Sequence, residues 1–241
     1  MVTHNAVTPM DEPLAPDSFP NAAGGEGPRQ IVIPDSFTGT KEHIFLTAER
    51  LFAQEGYQAV SVRQITREAG TNLASVSYYF GSREDLILSI FCRRRAQLND
   101  DRLQQLDRVL SRKREPEVID LIRAYVTPAL LWERDHRAIS MQFLNRAPLE
   151  AAANVRELLD HDVRHVIPFI EALQSARPQM SREEICWRFN FTLNVFSGNS
   201  PSSDARLVAF SNGECTPDDP EAFLERALDF VELAWYVPKI R

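Results

Sequence analysis

The stretch "TNLASVSYYFGSREDL", residues 71–86, decides the fold class. Leu73 to Tyr79 is a helix hardly two turns long, with Val76 and Phe80 four residues apart on its inner side. Ser82 then starts another helix as Ser-x-x-Asp with Asp85, a pattern in which each residue satisfies an open backbone N–H of the other. Two adjacent tyrosines lie between these signals. On a helix, Tyr78 and Tyr79 cannot both face the core that takes Val76 and Phe80, so they project to the sides and front.

The pattern stays helical in both directions. Upstream, Thr40 is a cap-type residue, Ile44, Ala48, Leu51 and Phe52 recur at helical spacing, and Gly56 ends the run. Ser61 opens a short helix with Val62, Ile65 and Ala69 inward and Gly70 at its end. Downstream, Leu86, Ile87, Ile90 and Phe91 face a core on a helix expected to run to about Arg112. Further helices follow, with breaks near Pro116, Pro148, Arg177–Pro178 and residues 197–220. Pro128 and Pro168 sit inside apolar patterns and are expected to kink helices. Strand alternation is nearly absent, so the fold class is all-α. Residues 1–40, rich in Pro, Gly, Asp and Asn, read as a mobile tail.

Composition bounds the function. The chain has 241 residues, 44% of them hydrophobic and 25% charged, and its apolar runs are too short to span a membrane. It begins with no basic, then apolar, secretory leader. Cys92, Cys186 and Cys215 are far apart and odd in number, which fits a reducing cytoplasm and neither a disulfide framework nor a zinc site. The net charge of −7 is unevenly spread: residues 41–95 carry a net +2, while the segments before and after carry −4 and −5. The one net-positive segment contains the opening stretch.

A short helix, a turn with glycine and a second short helix form a helix-turn-helix. Residues 73–79 are its candidate recognition helix. The outward residues Leu73, Ala74, Ser75, Ser77 and Tyr78 are small or lightly polar and allow close approach to a groove. Arg63 is the candidate for a guanine contact. Tyr78 and Tyr79 can offer hydroxyls to phosphates, joined by Ser61, Thr71 and Arg83 at helix ends. The alternative is that both tyrosines only cover a small helical core.

Residues 41–91, above all "SVRQITREAGTNLASVSYYFGSREDLI" and the approach "LFAQEGYQAVSVRQI", resemble the DNA-binding domain of the TetR family of one-component bacterial regulators. The resemblance implies base contacts from Arg63, Leu73, Ala74, Ser75 and Ser77, and phosphate contacts from Ser61, Thr71, Tyr78, Tyr79 and Arg83. Many members have Tyr where this chain has Ser77, and His where it has Tyr79. The "NLASVSYYFGS" form is similar to a fatty-acid-responsive, PsrA-type subset. The implied layout is a tail at 1–40, a DNA-binding domain at 41–87 and a helical effector-binding and dimerisation domain at 88–241. Implied partners are a double-stranded DNA operator, a second copy of the chain and a small, apolar or acyl effector. The implied mode is repression in the cytoplasm at the nucleoid, with no cofactor.

Two later helices are apolar on more than one face, and a second copy is the economical cover for the excess. The expected dimer interface is Phe189, Leu193, Phe196, Leu224, Leu228, Val231 and Trp235; burial within the chain is the alternative. The expected effector pocket draws on Phe91, Trp132, Met141, Phe143, Phe169, Trp187 and Phe191. "HDVRH" at 161–165 places two histidines one turn apart, with Glu157 a turn earlier, yet no third ligand cluster accompanies them and no metal is expected. No Gly-rich phosphate loop or nucleophile elbow occurs, so an enzyme is not expected. A redox sensor using Cys92 beside Arg93–Arg95, and a helical adaptor binding protein alone, are the remaining alternatives.

Overall fold

The first helix, α1, spans Gly39–Glu55 and is entered from Thr38, two residues ahead of the expected Thr40. Both are cap-type residues, and residue type alone does not rank them. The computed structural model describes residues 38–134, 137–150, 163–196, 205–215 and 220–236, which form helices and their connections with no strand among them. The tail expected at 1–40 therefore falls outside the described residues except at its last three positions.

Local chemistry starts each helix of the opening stretch. Ser61 Oγ accepts the Gln64 N–H at 3.2 Å and opens α2, Val62–Glu68. Asn72 Oδ1 accepts the Ser75 N–H at 3.0 Å and opens α3, Leu73–Phe80. Ser82 and Asp85 form the expected reciprocal cap, each side chain accepting the other's backbone N–H at 3.0 Å, and launch α4, Arg83–Leu110. At 28 residues, α4 is about 42 Å long.

After α4 come α5 (Val118–Arg134), α6 (Ala138–Glu150), α7 (Ile167–Ala176), α8 (Arg182–Phe196), α9 (Ala205–Phe210) and α10 (Pro220–Tyr236). Pro128 lies inside α5 as expected. Pro168 does not interrupt a helix: it occupies the first turn of α7. Its missing N–H has no intrahelical partner to lose there, and its fixed φ suits helix entry.

Two apolar clusters share α4. The first gathers Ile44, Phe45, Leu51 and Phe52 of α1, Ile65 of α2, Val76 of α3, and Leu86, Ile90 and Phe91 of α4, and it takes Phe143 from α6. The second joins Leu106 and Val109 of α4 to Leu121, Ile122 and Tyr125 of α5, Phe169 and Leu173 of α7, Ile185 and Phe189 of α8, and Leu224, Leu228, Val231 and Trp235 of α10.

Ion pairs fix α1 on α4. Arg94 grips the nearly buried Glu49 through two bonds of 2.7 Å, and Arg93 reaches Glu42 at 3.1 Å. Both guanidinium groups also stack on the Phe45 ring. The Arg93–Arg95 run, which in the sequence suggests a perturbed thiol, thus supplies two structural cations. Cys92 packs partly buried against the first cluster, and it is Cys186 that is exposed.

Candidate nucleic-acid interface

The α3 surface is built as its pattern required. Val76 is the buried residue of the helix, while Leu73, Ala74, Ser77 and Tyr78 are exposed. Tyr78 is 82% exposed, and its ring meets Tyr79 edge to face at 4.9 Å. Tyr79 is half-buried and packs against the first cluster. The two rings are therefore not equivalent, since Tyr79 anchors in the protein while Tyr78 leans on it and stands out. Neither phenol hydroxyl has a hydrogen-bond partner among the described residues, which leaves both polar tips for an external acceptor.

Arg63 is exposed one residue into α2, and its guanidinium has no ion pair among the described residues. Ser61 is exposed and uses its oxygen as the α2 cap, which leaves its hydroxyl hydrogen to donate elsewhere. Ser75 is more constrained than expected. It is half-buried, and its hydroxyl donates to Asn72 Oδ1 at 3.1 Å.

Two expected phosphate ligands are placed differently. The Thr71 Oγ1 is buried with no hydrogen-bond partner among the described residues, so it faces the protein and not the surface. Its backbone N–H closes the turn onto the Thr66 carbonyl at 2.9 Å. Arg83 turns back into the protein as well: Nε donates to the Val60 carbonyl at 2.9 Å, Nη1 meets Glu84 at 3.1 Å, and the guanidinium lies over Phe52. A long side chain at a helix start can follow the surface inward as readily as outward.

The module is joined to the other helices at the end of α1. That helix has no basic residue in its last turn, and Arg146 of α6 supplies one. Arg146 donates to the Ala53 carbonyl at 2.9 Å and the Gln54 carbonyl at 3.3 Å, and pairs with Glu150 at 2.6 Å. Glu150 in turn accepts the Tyr57 N–H at 2.7 Å, and the buried Tyr57 hydroxyl donates to the Phe143 carbonyl at 2.8 Å. Gly56 sits inside this clamp with φ +94°, where a Cβ would come within 2.9 Å of Glu150 Oε2. Burial would raise the Glu150 pKa, but the Tyr57 N–H and the Arg146 guanidinium outweigh it and leave the carboxyl below its ordinary value. Burial first, then the Glu150 charge, pushes the Tyr57 phenol up. The clamp is not legible in the sequence, because partners 86 to 93 positions apart leave no periodic trace.

The expected effector and dimer residues are redistributed. Phe91 and Phe143 belong to the first cluster, and Phe169 fills the second beside Tyr125 at 5.0 Å. Trp132 is buried and donates its indole N–H to Asp101 at 2.8 Å, and Met141 is half-buried. Trp187 and Phe191 line no interior pocket. They are 53% and 60% exposed and stack on each other at 5.6 Å. Of the expected dimer contacts, Phe189, Leu224, Leu228, Val231 and Trp235 are buried within the chain, and Leu193 and Phe196 pack partly buried against the same cluster. Trp235 also donates to Thr192 Oγ1 at 3.0 Å. Both helices have two apolar faces of equal period, and periodicity does not say which one the chain covers itself.

His165 is buried and shares a 3.1 Å hydrogen bond with the Tyr125 hydroxyl; His161 and Glu157 lie outside the described residues. Among the described residues, no three His, Cys, Asp or Glu side chains are grouped as metal ligands, and no helix is long and apolar enough to cross a membrane.

Comparison with known proteins agrees with this geometry. The family description "Bacterial regulatory proteins, tetR family" matches residues 44–90, and "Tetracyclin repressor-like, C-terminal domain" matches residues 123–232. Together they span more than half of the chain. The "Probable HTH-type transcriptional regulator YttP" of Bacillus subtilis is 42% identical over 48 residues, which is 20% of this chain and 23% of that protein. The HTH-type transcriptional repressor AcnR of Corynebacterium glutamicum is 30% identical over 60 residues, 25% of this chain and 32% of its own. The chain thus spans no more than about a third of either curated relative. The structure of the fatty acid degradation regulator FadR from Bacillus halodurans superposes with a TM-score of 0.55 at 13% identity, covering 81% of this chain and 96% of FadR, a likeness of fold. With a helix-turn-helix that presents α3 outward and a helical C-terminal region of matching family, the chain belongs to the TetR family of DNA-binding transcriptional regulators.

Proposed function

We propose that this regulator is a ligand-responsive repressor that binds a palindromic double-stranded operator as a homodimer. The observation that carries the reading is an open recognition face on α3 together with a second apolar face that the chain leaves uncovered. That second face comprises Trp187 and Phe191 of α8 and Phe230 and Leu233 of α10, the last two 65% and 70% exposed. Large aromatics exposed on adjacent helices mark an association surface, and α8 and α10 already pack together through Trp235 and Thr192. A second copy docking there sets the spacing of two α3 helices. A pair of weakly polar recognition helices reads a two-fold site that one alone reads poorly.

In this reading residues 41–87 form the DNA-binding domain and 88–241 the effector and dimer domain, with α4 common to both clusters. Arg63, Leu73, Ala74 and Ser77 face bases; Ser61, Tyr78 and Tyr79 hold phosphates. An effector that binds a splayed dimer better than the DNA-competent one shifts the population and releases the operator. The α6 clamp on α1 is the route by which movement in the larger domain reaches α3. AcnR is named a repressor, in line with repression here, and FadR, alike in fold, is named a fatty acid degradation regulator, in line with an acyl-type effector.

Selection of bound duplexes from a random DNA pool by the purified protein tests the reading. A palindrome is expected, bound more weakly by Tyr79→Phe with the preferred sequence kept. No enrichment at moderate salt, with or without added cell extract, would refute it.

A further inference from the structure

Arg102 differs from five of the arginines set into this fold. Arg93, Arg94, Arg137, Arg146 and Arg188 each face a carboxylate. Arg102, half-buried on the α4 side that faces α5, faces none among the described residues. Its Nε donates to the Tyr125 carbonyl at 3.2 Å, its Nη1 to Asn99 Oδ1 at 3.1 Å, and its guanidinium lies 4.2 Å from the Tyr125 ring centroid. Burial sets the guanidinium below its ordinary pKa; the Tyr125 phenol opposes this, and the like charge of Arg95, two turns earlier on α4, adds to it.

The surroundings are arranged to hold the cation in place without neutralising it. Asn99 is only 8% exposed and spends its oxygen on Arg102, while its Nδ2 donates to no described residue. Arg102 Nη2 also has no hydrogen-bond partner there. Two sets of N–H donors from consecutive turns of α4 are therefore open, beside a positive charge with no counter-ion among the described residues. A cation withdrawn from water costs free energy until an anion accompanies it, and a planar guanidinium fork fits a carboxylate or phosphate through two parallel bonds. The aromatic wall at Tyr125 continues into Phe169 and Phe189, at 5.0 and 5.1 Å, so an anion seated at Arg102 borders the apolar second cluster.

We infer that Arg102 and Asn99 form the anion seat of the effector site, and that the effector is an organic carboxylate or phosphate with its apolar part toward α5 and α7. This rests on the ligand-responsive reading and gives the effector a chemical class. The bond from Arg102 Nε to the Tyr125 carbonyl holds the fork against α5.

The test is thermal unfolding of the full chain at fixed pH and ionic strength in chloride, acetate, inorganic phosphate, and octanoate against octanol. Wild type is expected to gain about 3 °C or more from an anion at roughly ten times its Kd, and the octanol control to give less than octanoate. Acetate and phosphate arms separate the two anion types. Arg102→Gln is expected to lose the anion-specific shift while Arg102→Lys keeps part of it, a difference that a purely structural Arg102 does not produce. Equal anion shifts in wild type and Arg102→Gln, or no anion-specific shift in wild type, overturn the seat. Operator binding by the wild-type chain is measured separately. Its loss refutes the regulator reading, whereas operator release by neutral compounds alone keeps that reading and overturns the anion seat.

Discussion

Glu150→Ala removes the central acceptor of the clamp between α6 and α1. The Tyr57 N–H loses its partner at 2.7 Å and Arg146 loses its counter-ion at 2.6 Å. Hydrogen bonds to charged groups contribute about 1.5–3 kcal/mol each when well buried. The Arg146 and Glu150 side chains are 31% and 27% exposed, so solvent screening lowers the ion-pair share, and the Tyr57 N–H carries most of the loss. The expected cost is about 2 kcal/mol, or about 4–8 °C in Tm for a protein of this size. Thermal and urea unfolding at pH 7 measure it. The pH dependence gives a second check. A carboxyl with a depressed folded pKa contributes fully above its unfolded value of about 4.3, and that contribution fades as pH falls through the lower folded value. The gap between wild type and variant should therefore be full at pH 7 and shrink below about pH 4. A Tm within about 1 °C of wild type at pH 7, or a gap that persists unchanged at acid pH, would refute the clamp. Operator release by an effector should also weaken in this variant, because the route from α6 to α1 is loosened.

Other perturbations separate the remaining roles. Glu49→Ala leaves Arg94 with Gln97 and the Phe45 ring but no carboxylate among the described residues, and should cost about 3 kcal/mol; Glu49→Ala with Arg94→Met should recover part of it, as a double-mutant cycle in urea would read. Trp187→Arg combined with Leu233→Arg should yield a folded monomer by sedimentation with operator affinity reduced at least about tenfold; an unchanged dimer would move the interface elsewhere. Arg63→Ala should cost about 1–3 kcal/mol at the operator and relax preference at one base pair, scored by repeating the duplex selection. Tyr78→Phe should weaken every duplex alike and leave the salt slope unchanged, because a neutral hydroxyl releases no counter-ion.

The sequence by itself determined what nearest neighbours along the chain control. Ser61 and the Ser82–Asp85 pair start their helices because the partner N–H is three residues away, and Val76 is inside because the apolar spacing leaves no other face for it. The outward set of Leu73, Ala74, Ser77 and Tyr78 follows from the same arithmetic. Asn72 as the α3 cap is equally local, a matter of its residue type and its place before Leu73.

Tertiary structure decided wherever two faces of one helix compete or where partners are distant in the chain. On α8 and α10 both stripes are apolar, and packing against Tyr125 and Phe169 claimed Phe189, Leu228 and Trp235 and left Trp187 and Phe191 outside. Thr71 and Arg83 are long or rotatable enough to turn inward once α2, α3 and α4 meet. The Tyr57–Glu150–Arg146 clamp and the Arg102 fork depend on helices that approach only after both clusters close. Period sets which residues share a face, but only the packed neighbours set which face becomes core.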